Sequence, residues 1–219
     1  QIRTSSRGTI VKIFIEGGGY HYTTMFIGRG YEVVPDLDEA ELVCFTGGAD
    51  VNPSYYGEQP HPQTHFSAIR DEDCFKIFNH CIKNDVPMVG ICRGAQFLCV
   101  ANGGSLWQHV DNHAIHGSHK AQDVLQGYEL NVTSTHHQMM RPEGVEGIDF
   151  EVLLTANMSF RKEKVIDGTP VGMLSSTPDV EACMWQATKS LGFQPHPEFP
   201  SAPEACTAWF FEKLDLILE

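Results

Sequence analysis

Cys92 stands between Gly90 and Gly94 in "VGICRGAQF", where the apolar run "VPMVGI" gives way to residues of helical character. Flanking glycines let a chain fold back tightly, so a strand running into a helix here leaves the cysteine at the crest of the turn, as in a nucleophile elbow. A helix N-terminus also offers unpaired amides and the positive end of a dipole, which favour negative charge on sulfur. The other six cysteines, Cys44, Cys74, Cys81, Cys99, Cys183 and Cys206, fall in apolar or helical patterns and read as small core residues.

A cysteine nucleophile needs a base, and the base needs an orienting group. "GFQPHPEF" supplies both, because His196 and Glu198 are two apart at the end of an extended run, where side chains at i and i+2 share a side. Taken alone, the segment also reads as a surface turn stiffened by Pro195 and Pro197. Three glycine segments, Gly17 to Gly19, Gly47-Gly48 and Gly90 to Gly94, fall at the ends of candidate strands. In an open parallel sheet that is where ligands bind.

The elements that must position these groups follow from periodicity. "TIVKIFIEGGG", a helix-compatible Tyr20 to Gly30 and "YEVV" form a β-α-β unit; "ELVCFTGGAD" is a third strand. Asp71 to Asn84 carries Phe75, Ile77, Phe78 and Ile82 at helical spacing, and "VPMVGI" is apolar enough for a parallel strand covered on both faces. The second half offers the shorter runs "YELNVTS", "FEVLLTA", "EACMWQA" and "SLGFQPH", an extension of the same sheet. It closes with a helix from "SAPEACTAWFFEKLDLIL", in which Ser201 and Glu204 have capping-box spacing. Strands alternating with helices predict an α/β sandwich with a mainly parallel sheet, formed by residues 1–219 as one domain with residues 1–8 frayed.

The formal net charge of −13, without a sustained basic cluster, argues against a nucleic-acid partner and for a small-molecule substrate. Seven unpatterned cysteines and no signal-peptide pattern point to a reduced, cytoplasmic setting. Apolar runs are far short of the roughly 20 residues that span a bilayer, so no membrane partner is expected. His109, His113, His116 and His119 would line one face of a helix and could take a metal. Gly117 and Ser118 interrupt such a helix, and Asp111 falls off its face. A polar loop bordering the substrate is the preferred reading, with no metal and no cofactor.

The ordered motifs "CFTGGADVNPSYYGEQP", "RDEDCFKIF", "VGICRGAQFLCVANGGSLWQ", "STHHQ" and "GFQPHPEF" resemble the class I glutamine amidotransferase-like superfamily, and within it the gamma-glutamyl hydrolases of the gamma-glutamyl-gamma-aminobutyrate hydrolase type. The resemblance runs from Val43 to Phe199. It implies a flavodoxin-like three-layer α/β/α fold and a triad of Cys92, His196 and Glu198. It further implies an oxyanion hole from backbone amides of Gly48 and Arg93, and a substrate pocket bordered by Gly47, Gln96, Ser134 and His136. The implied reaction is hydrolysis of a gamma-glutamyl amide. The alternatives are a glutaminase subunit passing ammonia to a synthetase partner and an inactive binding protein of the same fold; a homodimer is compatible with each. Arg70 to Asp73 matches the family's Arg-Asp signature and reads as structural ahead of substrate contact. Cys99 stands where the hydrolases carry asparagine, and Pro178-Asp179 where they carry aspartate-glycine. The region from Asp111 to Gly127 is short and Arg161 to Thr177 aligns with nothing in the family, so the amine side of the substrate is left undefined.

Overall fold

The order of apolar runs and amphipathic segments decides the sheet. The computed structural model describes residues 10–143, 149–174 and 176–219, so the expectation for residues 1–8 lies outside them. In the first half, β1 (Lys12–Glu16), α1 (Tyr20–Gly28), β2 (Glu32–Val33), β3 (Leu42–Phe45), α2 (Ala68–Asn84), β4 (Met88–Ile91) and α3 (Arg93–Ala101) alternate as the periodicity requires. The second half adds β5 (Ser105–Trp107), β6 (His109–Val110), β7 (Ala114–Asp123), β8 (Glu129–Thr135), β9 (Met139–Arg141) and β10 (Glu151–Ala156). After these come β11 (Arg161–Ile166), β12 (Thr169–Leu174), β13 (Asp179–Trp185), β14 (Ser190–Phe193) and α4 (Glu204–Leu218).

Nine strands form one sheet in the order β2-β1-β3-β4-β14-β13-β10-β7-β8. The five from β2 to β14 are parallel. The remaining pairs are antiparallel. Both β3 and β4 are buried at every position, as strands covered on two faces must be. On one face Phe26 of α1 meets Phe210 and Phe211 of α4, with ring centroids 6.3 and 5.7 Å apart. On the other, Phe97 of α3 packs on Phe45 at 4.8 Å and on Phe75 of α2 at 5.0 Å. This is the flavodoxin-like sandwich, with an antiparallel extension on one side of the sheet.

Local signals explain the helix ends with one correction. Ser67 caps α2 through its hydroxyl, which accepts from the Arg70 amide at 3.4 Å, and Asp85 closes it in the left-handed region. The capping box expected at Ser201 does not form: α4 begins at Glu204 with Pro203 at its N-cap and no side-chain cap. A second correction concerns the histidines. Residues 109–110 and 114–123 are strands, so the histidine stripe is not helical; Gly117 and Ser118 lie in the irregular register of β7 against β8. Residues 161–174 form a hairpin turning at Asp167-Gly168, both with positive φ (48° and 75°), the Asp-Gly signature of a two-residue turn.

The elbow is where the fold is tightest. A methyl group on Gly94 would lie 2.0 Å from the Phe45 carbonyl oxygen, and one on Gly90 would lie 2.3 Å from the Gly94 carbonyl. Both glycines are therefore required by close backbone approach. Gly94→Ala should cost on the order of 3 kcal/mol of folding free energy, read from urea denaturation, because backbone must move to admit the methyl.

Candidate active site

Parallel pairing of β4 with β14 sets Ile91 opposite Phe193, so the chain emerging from each strand does so side by side. Cys92 is the residue after β4, and His196 follows β14 by three. The Cys92 amide is held by the Phe193 carbonyl at 2.9 Å. Cys92 has φ 53° and ψ −108°, a backbone conformation side-chain-bearing residues rarely adopt. That strain is what an elbow imposes on its crest. Cys92 is half-buried, whereas the other six cysteines are buried.

His196 is fixed from three directions. Its backbone amide donates to the Thr133 hydroxyl at 2.6 Å, its ring stacks on Phe199 at 4.3 Å and 8°, and Nδ1 meets Glu198 Oε1 at 2.6 Å. Nδ1–H is given to the carboxylate, and the ring lies beside Cys92. Burial opposes a charge on the ring, but the attraction of Cys92 and Glu198 outweighs it and raises the histidine to about 10.

The Gly47-Gly48 loop closes the other side. A methyl on Gly47 would lie 3.0 Å from His196 Cε1 and 3.7 Å from Cys92 Cβ, so this loop and the Cys-His pair are in contact. Arg70 holds the loop: its guanidinium donates to the Gly47 carbonyl at 3.0 Å and the Thr46 carbonyl at 3.1 Å while pairing with Glu16 at 2.8 Å. The Gly47 amide is taken by the Tyr22 hydroxyl at 3.0 Å. Burial, together with the Glu198 charge beside it, pushes the Tyr22 phenol well above its ordinary value and keeps it neutral. Tyr22 was missed by sequence reasoning, although the glycines that end β1 mark the loop leading to it.

Arg93 contributes to this site through its main chain alone. As the first residue of α3 its amide has no partner within the helix. Its side chain runs the opposite way, fully buried, to Asp71, to Cys74 Sγ at 3.0 Å and over the Phe97 ring. Burial raises the Asp71 carboxyl above its usual value; the Asn52 amide and Arg93 only partly offset this.

The residues expected to border a substrate divide. Gly47 lies against the Cys-His pair. Gln96, in the first turn of α3, is buried and donates to the Gln138 carbonyl at 3.1 Å and Gln194 Oε1 at 3.2 Å. Ser134 and His136 are both buried. The Ser134 hydroxyl donates to the His113 carbonyl at 2.6 Å, and His136 Nδ1 to the Gln138 carbonyl at 3.0 Å. Side chains alternate along β8, and its outward positions are Thr133 and Thr135, which line a cavity of about 330 Å³ with His116, Gly117, Phe199 and Ser201. Inward, His136 joins His113, His119 and Glu181 in a buried cluster; among the described residues, His113, His119 and Glu181 have ligand atoms close enough together to hold a metal.

A cysteine on an elbow, a histidine tied to a carboxylate and a guanidinium-braced glycine loop stand together in a chain that the comparisons with known proteins place in a family. The sequence profile described as Peptidase C26 matches residues 31–198. The chain belongs to the Peptidase C26 family. Among its relatives, "Putative glutamine amidotransferase Rv2859c" of Mycobacterium tuberculosis is 41% identical over 86 residues, 39% of this chain and 28% of that protein. "Putative glutamine amidotransferase PB2B2.05" of Schizosaccharomyces pombe is 26% identical over 63% of this chain and 66% of that one. The chain thus spans less than two thirds of the length of either. A glutamine amidotransferase structure from Thermotoga maritima superimposes with a TM-score of 0.59 over 94% of this chain and 84% of the other, at 16% identity, which supports the fold. Among the described residues, no helix is long and apolar enough to cross a membrane.

Two outcomes follow. Asp71→Ala would leave a guanidinium buried without its partner, and urea denaturation should show a loss of about 3–5 kcal/mol. Because the His196 value is raised from 6.5 to about 10, its contribution to stability is complete below pH 6.5 and is lost as pH rises through about 10. In NMR titrations Cys92→Ser should bring the His196 midpoint down by roughly one unit or more, since the partner that raises it is gone.

Proposed function

We propose that this member of the Peptidase C26 family hydrolyses a gamma-glutamyl amide through a thioester on Cys92. The observation that carries the reading is the His196 ring, held by Glu198 at 2.6 Å and lying beside Cys92 at the elbow. Cys92 Sγ attacks the amide carbonyl as a thiolate, with His196 holding the proton. The tetrahedral oxyanion is received by the backbone amides of Gly48 and Arg93, donors worth a few kcal/mol of barrier each. His196 then delivers its proton to the departing amine nitrogen as the carbon–nitrogen bond breaks. In the second half His196 takes a proton from water, whose oxygen attacks the thioester; glutamate leaves and the thiol returns.

Tyr22 and Arg70 are the positioning residues of this scheme. Tyr22 engages the Gly47 amide, leaving Gly48 as the donor of the loop, and Arg70 keeps the loop against the elbow. The cavity bordered by Thr133, Thr135 and Phe199 lies beside the base and is the place for the amine portion of the substrate. A cytoplasmic location and action on glutamine for a synthetase partner belong to the same proposal as further alternatives, with the assay deciding.

Cys92→Ala should abolish release of amine from gamma-glutamyl amides, a fall of at least about 10³-fold, while thermal melting shows a folded protein. Mass spectrometry of the wild-type chain mixed with each amide and quenched rapidly should find a gamma-glutamyl adduct on Cys92. Turnover undiminished in Cys92→Ala, or an adduct on another residue, overturns the mechanism. Release of ammonia from glutamine only in the presence of a synthetase would move the assignment to the ammonia-donating class.

A further inference from the structure

A second set of chemically capable side chains lies outside the triad. His113 precedes β7, His119 is within it, His136 follows β8 and Glu181 is on β13; all four are buried. The Glu181 carboxylate is their common centre. His119 Nε2 stands 2.8 Å and His113 Nδ1 3.4 Å from its Oε1, and His136 Nε2 is 3.7 Å from its Oε2. One ligand atom each from His113, His119 and Glu181 lies within 4.8 Å of the other two. Donors bound to zinc at about 2.0–2.2 Å in a tetrahedron are roughly 3.3–3.6 Å apart, so the separations are of the right size.

The hydrogen bonds at the back of these rings set which nitrogens carry lone pairs. His136 gives its Nδ1–H to the Gln138 carbonyl at 3.0 Å, so the neutral ring turns an unprotonated Nε2 toward Glu181. His113 Nε2 meets Asp179 Oδ2 at 3.0 Å, which assigns its proton to that side and leaves Nδ1 bare. Asp179 is itself held by the Met158 and Ser159 amides at 2.8 and 2.9 Å and by Lys162 at 2.9 Å. Both rings thus have the arrangement of metal-ligating histidines, whose outer nitrogen donates to a carbonyl or carboxylate.

His113 Nδ1, His136 Nε2 and Glu181 Oε2 are buried and have no hydrogen-bond partner. Three lone-pair atoms converging in a dry space repel one another, at a cost of several kcal/mol in total. A second proton on His113 would serve Glu181 Oε1 but leave His136 Nε2 and Glu181 Oε2 facing each other. A divalent cation satisfies these three lone pairs at once, and His119 Nδ1, also buried, is left as the ring nitrogen of the cluster without a partner. From this geometry we infer that His113 Nδ1, His119 Nε2 and Glu181 form the core of a structural site for a divalent transition metal of the zinc type, which His136 Nε2, 3.7 Å from Glu181 Oε2, closes by moving inward. Three imidazoles and one carboxylate suit such an ion, and with all four positions filled by protein it has no open position for catalysis. It would tie β7, β8 and β13 together behind the strand whose Thr133 holds His196.

The test uses the full chain carrying Cys92→Ala, which removes the competing thiolate of the active site and makes the result independent of the hydrolase proposal. After chelation and dialysis, zinc(II) sulfate is added and bound metal measured by elemental analysis. One zinc per chain is expected, with a rise in melting temperature of about 5–10 °C at saturating zinc. Cobalt(II) in its place should give a four-coordinate visible spectrum without a thiolate charge-transfer band. His119→Gln and Glu181→Gln should weaken binding by about 100-fold or more. No stoichiometric zinc and no rise in melting temperature in the Cys92→Ala chain would overturn the site and leave a proton-bridged cluster. Unchanged affinity in folded His119→Gln and Glu181→Gln would do the same; where those variants do not fold, the Cys92→Ala stoichiometry and melting decide.

Discussion

The contact of the Gly94 backbone with the Phe45 carbonyl is the constraint on which the site depends. It leaves no room for a methyl group, so the first turn of α3 sits directly on the end of β3. Two consequences come from one contact. The chain between β4 and α3 must turn within a single residue, which forces Cys92 into its strained backbone conformation. The Thr46 to Gly48 loop, continuing from Phe45, is brought against the same turn. The proposed nucleophile and oxyanion donors therefore come from different strands yet are placed by a shared close packing, as preorganised catalysis would require.

Two guanidinium groups, Arg70 half-buried and Arg93 buried, divide the work of holding that arrangement. Arg70 extends from α2 to the Gly47 carbonyl and Glu16, bracing the loop from the sheet side. Arg93 extends the other way, to Asp71 on the same α2, bracing the first turn of α3. Successive residues of one helix, Arg70 and Asp71, thus anchor both halves of the oxyanion site. An arginine suits each task because its planar fork satisfies several acceptors at once.

The parallel half of the fold was legible because its strands are buried on both faces and its helices are amphipathic; apolar runs and helical spacing report those conditions directly. Cys92, His196 and Glu198 were legible as candidates because glycine spacing and an i, i+2 pair carry geometry in the chain itself. The partners of Ser134 and His136 were not legible, because the facing of β8 is set by its pairing with β7, which the irregular stretch around Gly117 conceals. The histidine stripe failed for a related reason: three- and four-residue spacing suggests a helix, yet His113 and His119 meet through a bulged strand and are joined by Glu181 from much later in the chain. Tyr22 was hidden because its role comes from a contact 25 residues away, with the Gly47 amide.

The bond from the His196 amide to Thr133 ties the catalytic loop to β8, the edge strand at the far end of the sheet from β2. Edge strands open locally at a lower free energy than central ones. Fraying of β8 would slacken the base while β4, the elbow and both aromatic layers stayed closed. On the proposed mechanism such fraying would be an inactive state cheaper to reach than the unfolded one, and heat or denaturant would silence the chemistry before melting the core.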